Sequence, residues 1–292
     1  MALPMQDCIL LLGDSLTQRM DSPGNLHQRF AEAYQRKLDI QNRGFGGYNS
    51  AWVLPLMDHI LAKKGQDVNT PRIRLVTIWL GTNDSVLEGR EQYLPLDVFT
   101  ANMRTIINAF TSPTSPYAVS DTPVSIVLIT PGPPLHSQMA EDRRATRSVE
   151  RTRQFRDEVI RLFGEYKEEE GKQEVEEGGY GWKIALLDFW NLLETEATAD
   201  GSGAGLAPFY FDGLHLTTKG YTLLWDNLSN VIKTEFKGRG LDYDDFDDLP
   251  RRVPLHSDVD HTRPESVVER MALPKIRGGS GPIKVESRGF EG

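Results

Sequence analysis

The sequence predicts an α/β fold of three layers, α/β/α, built on a five-stranded parallel sheet. Two observations predict it. Five short runs rich in leucine and β-branched residues, at 7–12, 38–41, 73–80, 124–130 and 183–189, alternate with stretches of helical period. The runs read as almost continuously apolar, as strands covered on both faces do. Such alternation requires right-handed crossovers, and therefore parallel strands with helices on both sides.

The helical stretches fall at 25–37, 51–64, 97–110, about 138–167 and 217–237. In the last, Leu223, Leu224, Leu228, Val231 and Ile232 recur at helical spacing. Residues 138–180 stand apart as a charged helical insertion. They open with Arg143, Arg144, Arg147, Arg151, Arg153 and Arg156 and close with the acidic run Glu174-Val175-Glu176-Glu177, which reads as a loop. The arginines are a candidate anion site. However, Val149, Thr152, Phe155, Val159, Leu162, Phe163 and Tyr166 form an apolar stripe through them, the mark of a solvated amphipathic helix. After about Gly238 no period persists, and Pro, Gly and charge accumulate. Residues 238–292 are therefore expected to be a C-terminal extension, largely irregular or disordered, beyond a domain spanning 1–237.

The chain has 292 residues, enough for one sizeable α/β domain with extensions. A net charge of -9 and a pI near 5.3 argue against nucleic acid or an anionic membrane as partner. The one cysteine, Cys8, forms no internal disulfide, which suits a reducing compartment. It sits in the run Cys8-Ile9-Leu10-Leu11-Leu12, where a buried, inert thiol is expected. The first residues carry no basic n-region, and the apolar stretch after them is too short to span a membrane. A cytoplasmic protein without a membrane span is the expectation. The cluster Asp242 to Asp248 lacks the glycine and terminal glutamate of a calcium loop, and His256 and His261 lack a third ligand, so no metal site is expected.

Four polar segments follow predicted strands or precede the last helix. In an open parallel sheet the strand carboxyl ends share one edge, so segments distant in sequence meet there. Gly13-Asp14-Ser15-Leu16-Thr17 offers a hydroxyl at a sharp turn, but by itself it reads equally as a helix cap. The glycines of Asn42-Arg43-Gly44-Phe45-Gly46-Gly47-Tyr48-Asn49-Ser50 permit exposed backbone N–H groups, and Asn83 of Gly81-Thr82-Asn83-Asp84 can aim an amide N–H into the crevice. Both types serve an oxyanion hole, and both are also ordinary turn chemistry. In Asp212-Gly213-Leu214-His215 the carboxylate can reach Nδ1 of the histidine and leave Nε2 as a base. A metal pair or a polar helix start has the same look. Together the four supply a hydroxyl, oxyanion donors and an acid–base pair at one edge. Neither a Gly-x-Ser-x-Gly elbow nor a dinucleotide or phosphate-loop motif occurs.

These four blocks, in this order, resemble those of the SGNH (GDSL-type) hydrolases over roughly residues 7–237. Asn42-Arg43-Gly44-Phe45-x-Gly47-Tyr48, Trp79-Leu80-Gly81-Thr82-Asn83-Asp84 and Asp212-Gly213-Leu214-His215 look most like fungal isoamyl acetate-hydrolysing esterases. The resemblance implies a flavodoxin-like fold, with Ser15 as nucleophile, His215 as base and Asp212 as its orienter. It implies an oxyanion hole of Ser15 N–H, Gly47 N–H and the Asn83 side chain. It further implies short-chain acetate-type esters as substrates, no metal or organic cofactor, and a C-terminal segment that helps form the pocket and a homodimer. Phe45, Tyr48, Trp52, Pro131, Pro133 and Pro134 are candidate walls of an apolar slot, with a core-packing role equally open for Trp52. The same residues would serve an acyltransferase or a sugar or lipid deacetylase, and the fold without its chemistry would serve a binding module.

Overall fold

In the computed structural model, residues 6–67, 69–173, 181–199 and 203–272 are described. All five predicted strands form: β1 (Cys8–Gly13), β2 (Asp39–Gly44), β3 (Ile73–Trp79), β4 (Ser125–Ile129) and β5 (Lys183–Leu187). They pair in the order β2-β1-β3-β4-β5, parallel throughout. The order reverses at β1, so the crevice between the carboxyl ends of β1 and β3 is the switch point where ligands bind in such sheets.

Five helices of eight residues or more cover the sheet: α1 (Leu26–Ala33), α2 (Leu96–Thr111), α3 (Val149–Glu170), α4 (Phe189–Ala199) and α5 (Thr218–Glu235). The two-residue period of β1 divides the core. Ile9 and Leu11 face a cluster with Phe30, Leu193, Tyr221, Leu224 and Leu228 from α1, α4 and α5. Leu10 and Leu12 face the opposite cluster with Phe99, Met103, Ile106, Phe155, Val159 and Leu162 from α2 and α3. Each fully buried Leu, Ile or Phe contributes about 1.5–3 kcal/mol to the folded state.

The structure departs from expectation in several places. β2 extends through Gly44 rather than ending near Gln41, pairing Asn42, Arg43 and Gly44 with β1. It is an edge strand and mostly polar, so hydropathy marks its start near Leu38 but not its end. The helix expected over 51–64 is broken into Ser50–Val53, a 3-10 turn Leu54–Leu56 and Met57–Ile60, because Pro55 has no N–H for a continuous ladder. Helix α4 was not expected: its apolar start, Phe189-Trp190, is continuous with β5 and reads as more strand. The supposed insertion contains α3, the ordinary crossover from β4 to β5. Its stripe residues Phe155, Val159 and Leu162 are fully buried, and its charges occupy the outer face. The acidic run at 174–177 lies outside the described residues.

From 238 to 272 the chain is irregular apart from a 3-10 turn, His256–Asp258, and a one-turn helix, Ser266–Glu269. It is nonetheless tied down. Leu241 and Leu249 are buried in the first core. Arg239 donates to Ser125 Oγ at 2.9 Å and to the Gly181 carbonyl at 2.8 Å. Buried Asp7 pairs with Arg74 at 3.3 Å and with Arg252 at 3.8 Å. Asp7, Arg74, Ser125 and Gly181 stand at the amino ends of the strands. These contacts therefore hold residues 239–252 at the edge opposite the crevice. Residues 273–292 lie outside the described residues. Among the described residues, no helix is long and apolar enough to cross a membrane.

Candidate active site

The serine turn is built by its neighbours. β1 ends at Gly13, and Asp14 caps the one-turn helix Ser15–Gln18 by accepting the Leu16 N–H on Oδ1 at 2.9 Å. Ser15 therefore stands at the first helical position, where its N–H has no carbonyl one turn behind it. The Tyr221 hydroxyl donates to the Leu16 carbonyl at 2.7 Å, and Asn42 Nδ2 donates to the Thr17 carbonyl at 3.0 Å. Gly44 passes so close beneath this helix that a Cβ there would lie 2.2 Å from Gln18 N.

Ser15 Oγ lies 3.0 Å from His215 Nε2, and His215 Nδ1 lies 2.8 Å from Asp212 Oδ2. Asp212 Oδ1 also accepts the backbone N–H of His215 at 2.8 Å and of Leu214 at 3.1 Å. Burial opposes its ionisation, but the hydrogen bonds and charge of His215 prevail and draw the carboxyl down to about 2. An ionised Asp212 facing Nδ1 holds the ring proton there and leaves the Nε2 lone pair toward Ser15.

The oxyanion candidates converge from two loops. Gly47 occupies the third position of a turn closed by Tyr48 N–H to the Phe45 carbonyl at 3.0 Å. Its φ of +81° is the left-handed value that a type II turn requires. Among the described residues, the Gly47 N–H has no hydrogen-bond partner. Asn83 is buried, and its Nδ2 donates to the Tyr48 carbonyl at 2.9 Å, which ties the two loops together.

The pocket candidates divide. Phe45, Tyr48 and Trp52 form a row, with ring centroids 5.5 and 5.8 Å apart, and the latter two are more than a third exposed. Pro131 is buried behind the turn at Gly81 instead. Cys8 is buried, and burial together with Asp7 and Asp39 pushes its thiol up to about 12, far from a nucleophile at neutral pH.

Two neighbours of the candidate site escaped sequence reasoning. Arg143 donates to Asp212 Oδ2 at 2.5 Å, and Arg147 Nη2 donates to Asn83 Oδ1 at 3.2 Å. The arginine cluster was visible, but its partners lie 69 and 64 residues away, and no local pattern points across that distance.

Asp14 is also unusual. It is 1% exposed, and burial pushes its carboxyl from 3.8 to about 7, against the hydrogen bond from Leu16. Between those two values the unfolded chain is ionised while the folded one is not. Stability therefore falls as pH rises through this window and stays low above it. Asp14→Asn keeps a capping oxygen without an ionisation cost. Its melting temperature is expected to exceed that of the wild type above pH 7, with the gap closing toward pH 4. A gap that ignores pH would count against a strained Asp14.

A parallel α/β/α sandwich with polar loops at its switch point is the architecture of solved hydrolases. A lipase/acylhydrolase from Enterococcus faecalis matches with a TM-score of 0.51 at 18% identity, over 78% of this chain and 96% of that one. An acetylxylan esterase from Geobacillus stearothermophilus matches with a TM-score of 0.53 at 15% identity, over 81% and 98%. At such identities the likeness concerns the fold alone. The sequence takes the assignment further: the model of the GDSL-like lipase/acylhydrolase family matches residues 9–228, and the chain belongs to that family. It is a carboxylic ester hydrolase. A rat isoamyl acetate-hydrolyzing esterase 1 homolog is 30% identical over 259 residues, covering 88% of this chain and 90% of its own. A GDSL esterase/lipase of Arabidopsis thaliana is 29% identical over 283 residues, covering 92% and 100%. The isoamyl acetate-hydrolyzing esterase of Saccharomyces cerevisiae is 28% identical over 243 residues, covering 77% and 85%.

Proposed function

We propose that the protein hydrolyses short-chain carboxylic esters, acetates foremost, through an acyl-enzyme on Ser15. The observation that carries this reading is the continuous hydrogen-bond chain from Ser15 Oγ through His215 to Asp212, at 3.0 and 2.8 Å. The acetate preference rests on the named activity of the relatives. Oγ attacks the ester carbonyl as Nε2 takes its proton, and Asp212 stabilises the imidazolium. Negative charge on the carbonyl oxygen is met by the N–H groups of Ser15 and Gly47 and by Asn83 Nδ2. The tetrahedral adduct collapses, and the alcohol departs with the proton from His215. Water then repeats the sequence on the acyl-enzyme.

Hydrolysis of p-nitrophenyl acetate, butyrate and octanoate, with isoamyl acetate as the natural-type ester, tests the reading. Rates that climb with acyl length would overturn the acetate preference. Only neutral imidazole accepts the serine proton, so kcat/KM is expected to rise with pH across the histidine titration. Asp212, held down to about 2, stays ionised throughout and adds no limb. Asp14, pushed up to about 7, adds its own titration to the profile, so the profile is measured in Asp14→Asn as well. A limb that vanishes in that variant belongs to Asp14 rather than to His215.

A further inference from the structure

The arginines left unassigned by the sequence form a series of clamps on the loops of the crevice. Arg143 holds Asp212 at 2.5 Å. Arg151 donates to the Val86 carbonyl at 3.2 Å and to the Leu94 carbonyl, gripping the loop that carries Gln92. Gln92 in turn donates to the Gly47 carbonyl at 2.6 Å. Arg147, between them, reaches furthest inward and is 7% exposed. Its Nη1 donates to the Thr82 carbonyl, and its Nη2 lies 3.2 Å from Asn83 Oδ1. The segment that presents it is fixed to the same loop by Leu87 N–H to the Thr146 carbonyl at 2.9 Å.

A buried guanidinium is costly and needs a reason. On the reading above, in which Asn83 donates to the oxyanion, we infer that Arg147 is a positioning residue that locks the Asn83 amide in its donating orientation. A guanidinium only donates, so it accepts Oδ1 as partner and rejects NH₂. On the other side the Tyr48 carbonyl only accepts, and it takes one Nδ2 hydrogen at 2.9 Å. A flipped amide would set donor against donor and oxygen against oxygen. The second Nδ2 hydrogen is therefore held in one direction before substrate arrives. The cation also polarises the amide, and its field adds to the stabilisation of negative charge in a site of low dielectric. Burial lowers its pKa to about 10, with Asp14 and Asp84 acting to raise it, so Arg147 stays charged at neutral pH.

The test is a double-mutant cycle on p-nitrophenyl acetate with Arg147→Met, Asn83→Ala and the pair. Arg147→Met is expected to lower kcat by roughly a hundredfold with KM within a few-fold, the pattern of a lost oxyanion donor. The pair should be no slower than Asn83→Ala alone. Arg147→Lys provides the same cycle if the methionine variant does not fold. A lysine is a point charge without the fork, and it is expected to restore only part of kcat. Full kcat in both Arg147 variants, or losses that multiply in the pair, would overturn the inference. So would an Asn83→Ala enzyme of wild-type rate, with the Ser15 reading left standing. Loss of the reading itself has a separate signature, a Ser15→Ala variant that remains active.

Discussion

Ser15→Ala is expected to lower kcat for p-nitrophenyl acetate by about 10⁵- to 10⁶-fold, the loss seen when a serine-hydrolase nucleophile is removed. The turn itself should survive. Among the described residues Ser15 Oγ bonds only to His215, whereas the turn is secured by the Asp14 cap, Tyr221 and Asn42. Alanine is the best helix former, so the one-turn helix loses nothing by the change. An unchanged melting curve beside abolished turnover would separate chemistry from folding. A fluorophosphonate probe supplies the direct readout, labelling the wild type and not the alanine variant. Equal labelling of both proteins would remove Ser15 from the mechanism. Because serine and histidine act as a unit, adding His215→Ala to Ser15→Ala should cost almost nothing more.

The next largest effect is expected at Asn83. Asn83→Ala should reduce kcat by about 10²- to 10³-fold, the usual loss for one oxyanion donor, with little change in KM. It should also destabilise the fold by about 1–3 kcal/mol, because it leaves the buried Arg147 without one of its acceptors. The two losses are separable. Asn83→Asp keeps the shape and the acceptor for Arg147 but sets an oxygen against the Tyr48 carbonyl and offers no donor to the substrate. It is expected to be at least as slow as the alanine variant. A fast aspartate variant would mean that Asn83 serves packing rather than the oxyanion.

Much of this was legible in the chain. Buried parallel strands are apolar on both faces, and β1, β3, β4 and β5 therefore declared themselves as unbroken runs. The four polar segments were equally plain, because each interrupts apolar sequence where a strand ends or the last helix begins, and the carboxyl edge gathers such segments. Asp212 and His215 are three residues apart, close enough for sequence spacing alone to suggest their bond. β2 was harder: an edge strand needs no apolar run, and Asp39–Gly44 carries only one strongly apolar residue, Ile40. Helix α4 was hidden because its first residues continue the hydrophobicity of β5.

What the sequence by itself determined was the alternation of strands and helices, and thereby which segments share an edge. Local periodicity encodes both. Tertiary structure decided which side chains support that edge. It made α3 a core crossover rather than an appendage, set residues 238–272 against the far end of the sheet, and aimed Arg143 and Arg147 at Asp212 and Asn83. Those contacts join groups more than sixty residues apart, and they depend on where the chain between β4 and α3 passes over the carboxyl edge of the sheet. Periodicity says which face of a helix is buried; only packing decides which partner a charged side chain in the turn before that helix will find.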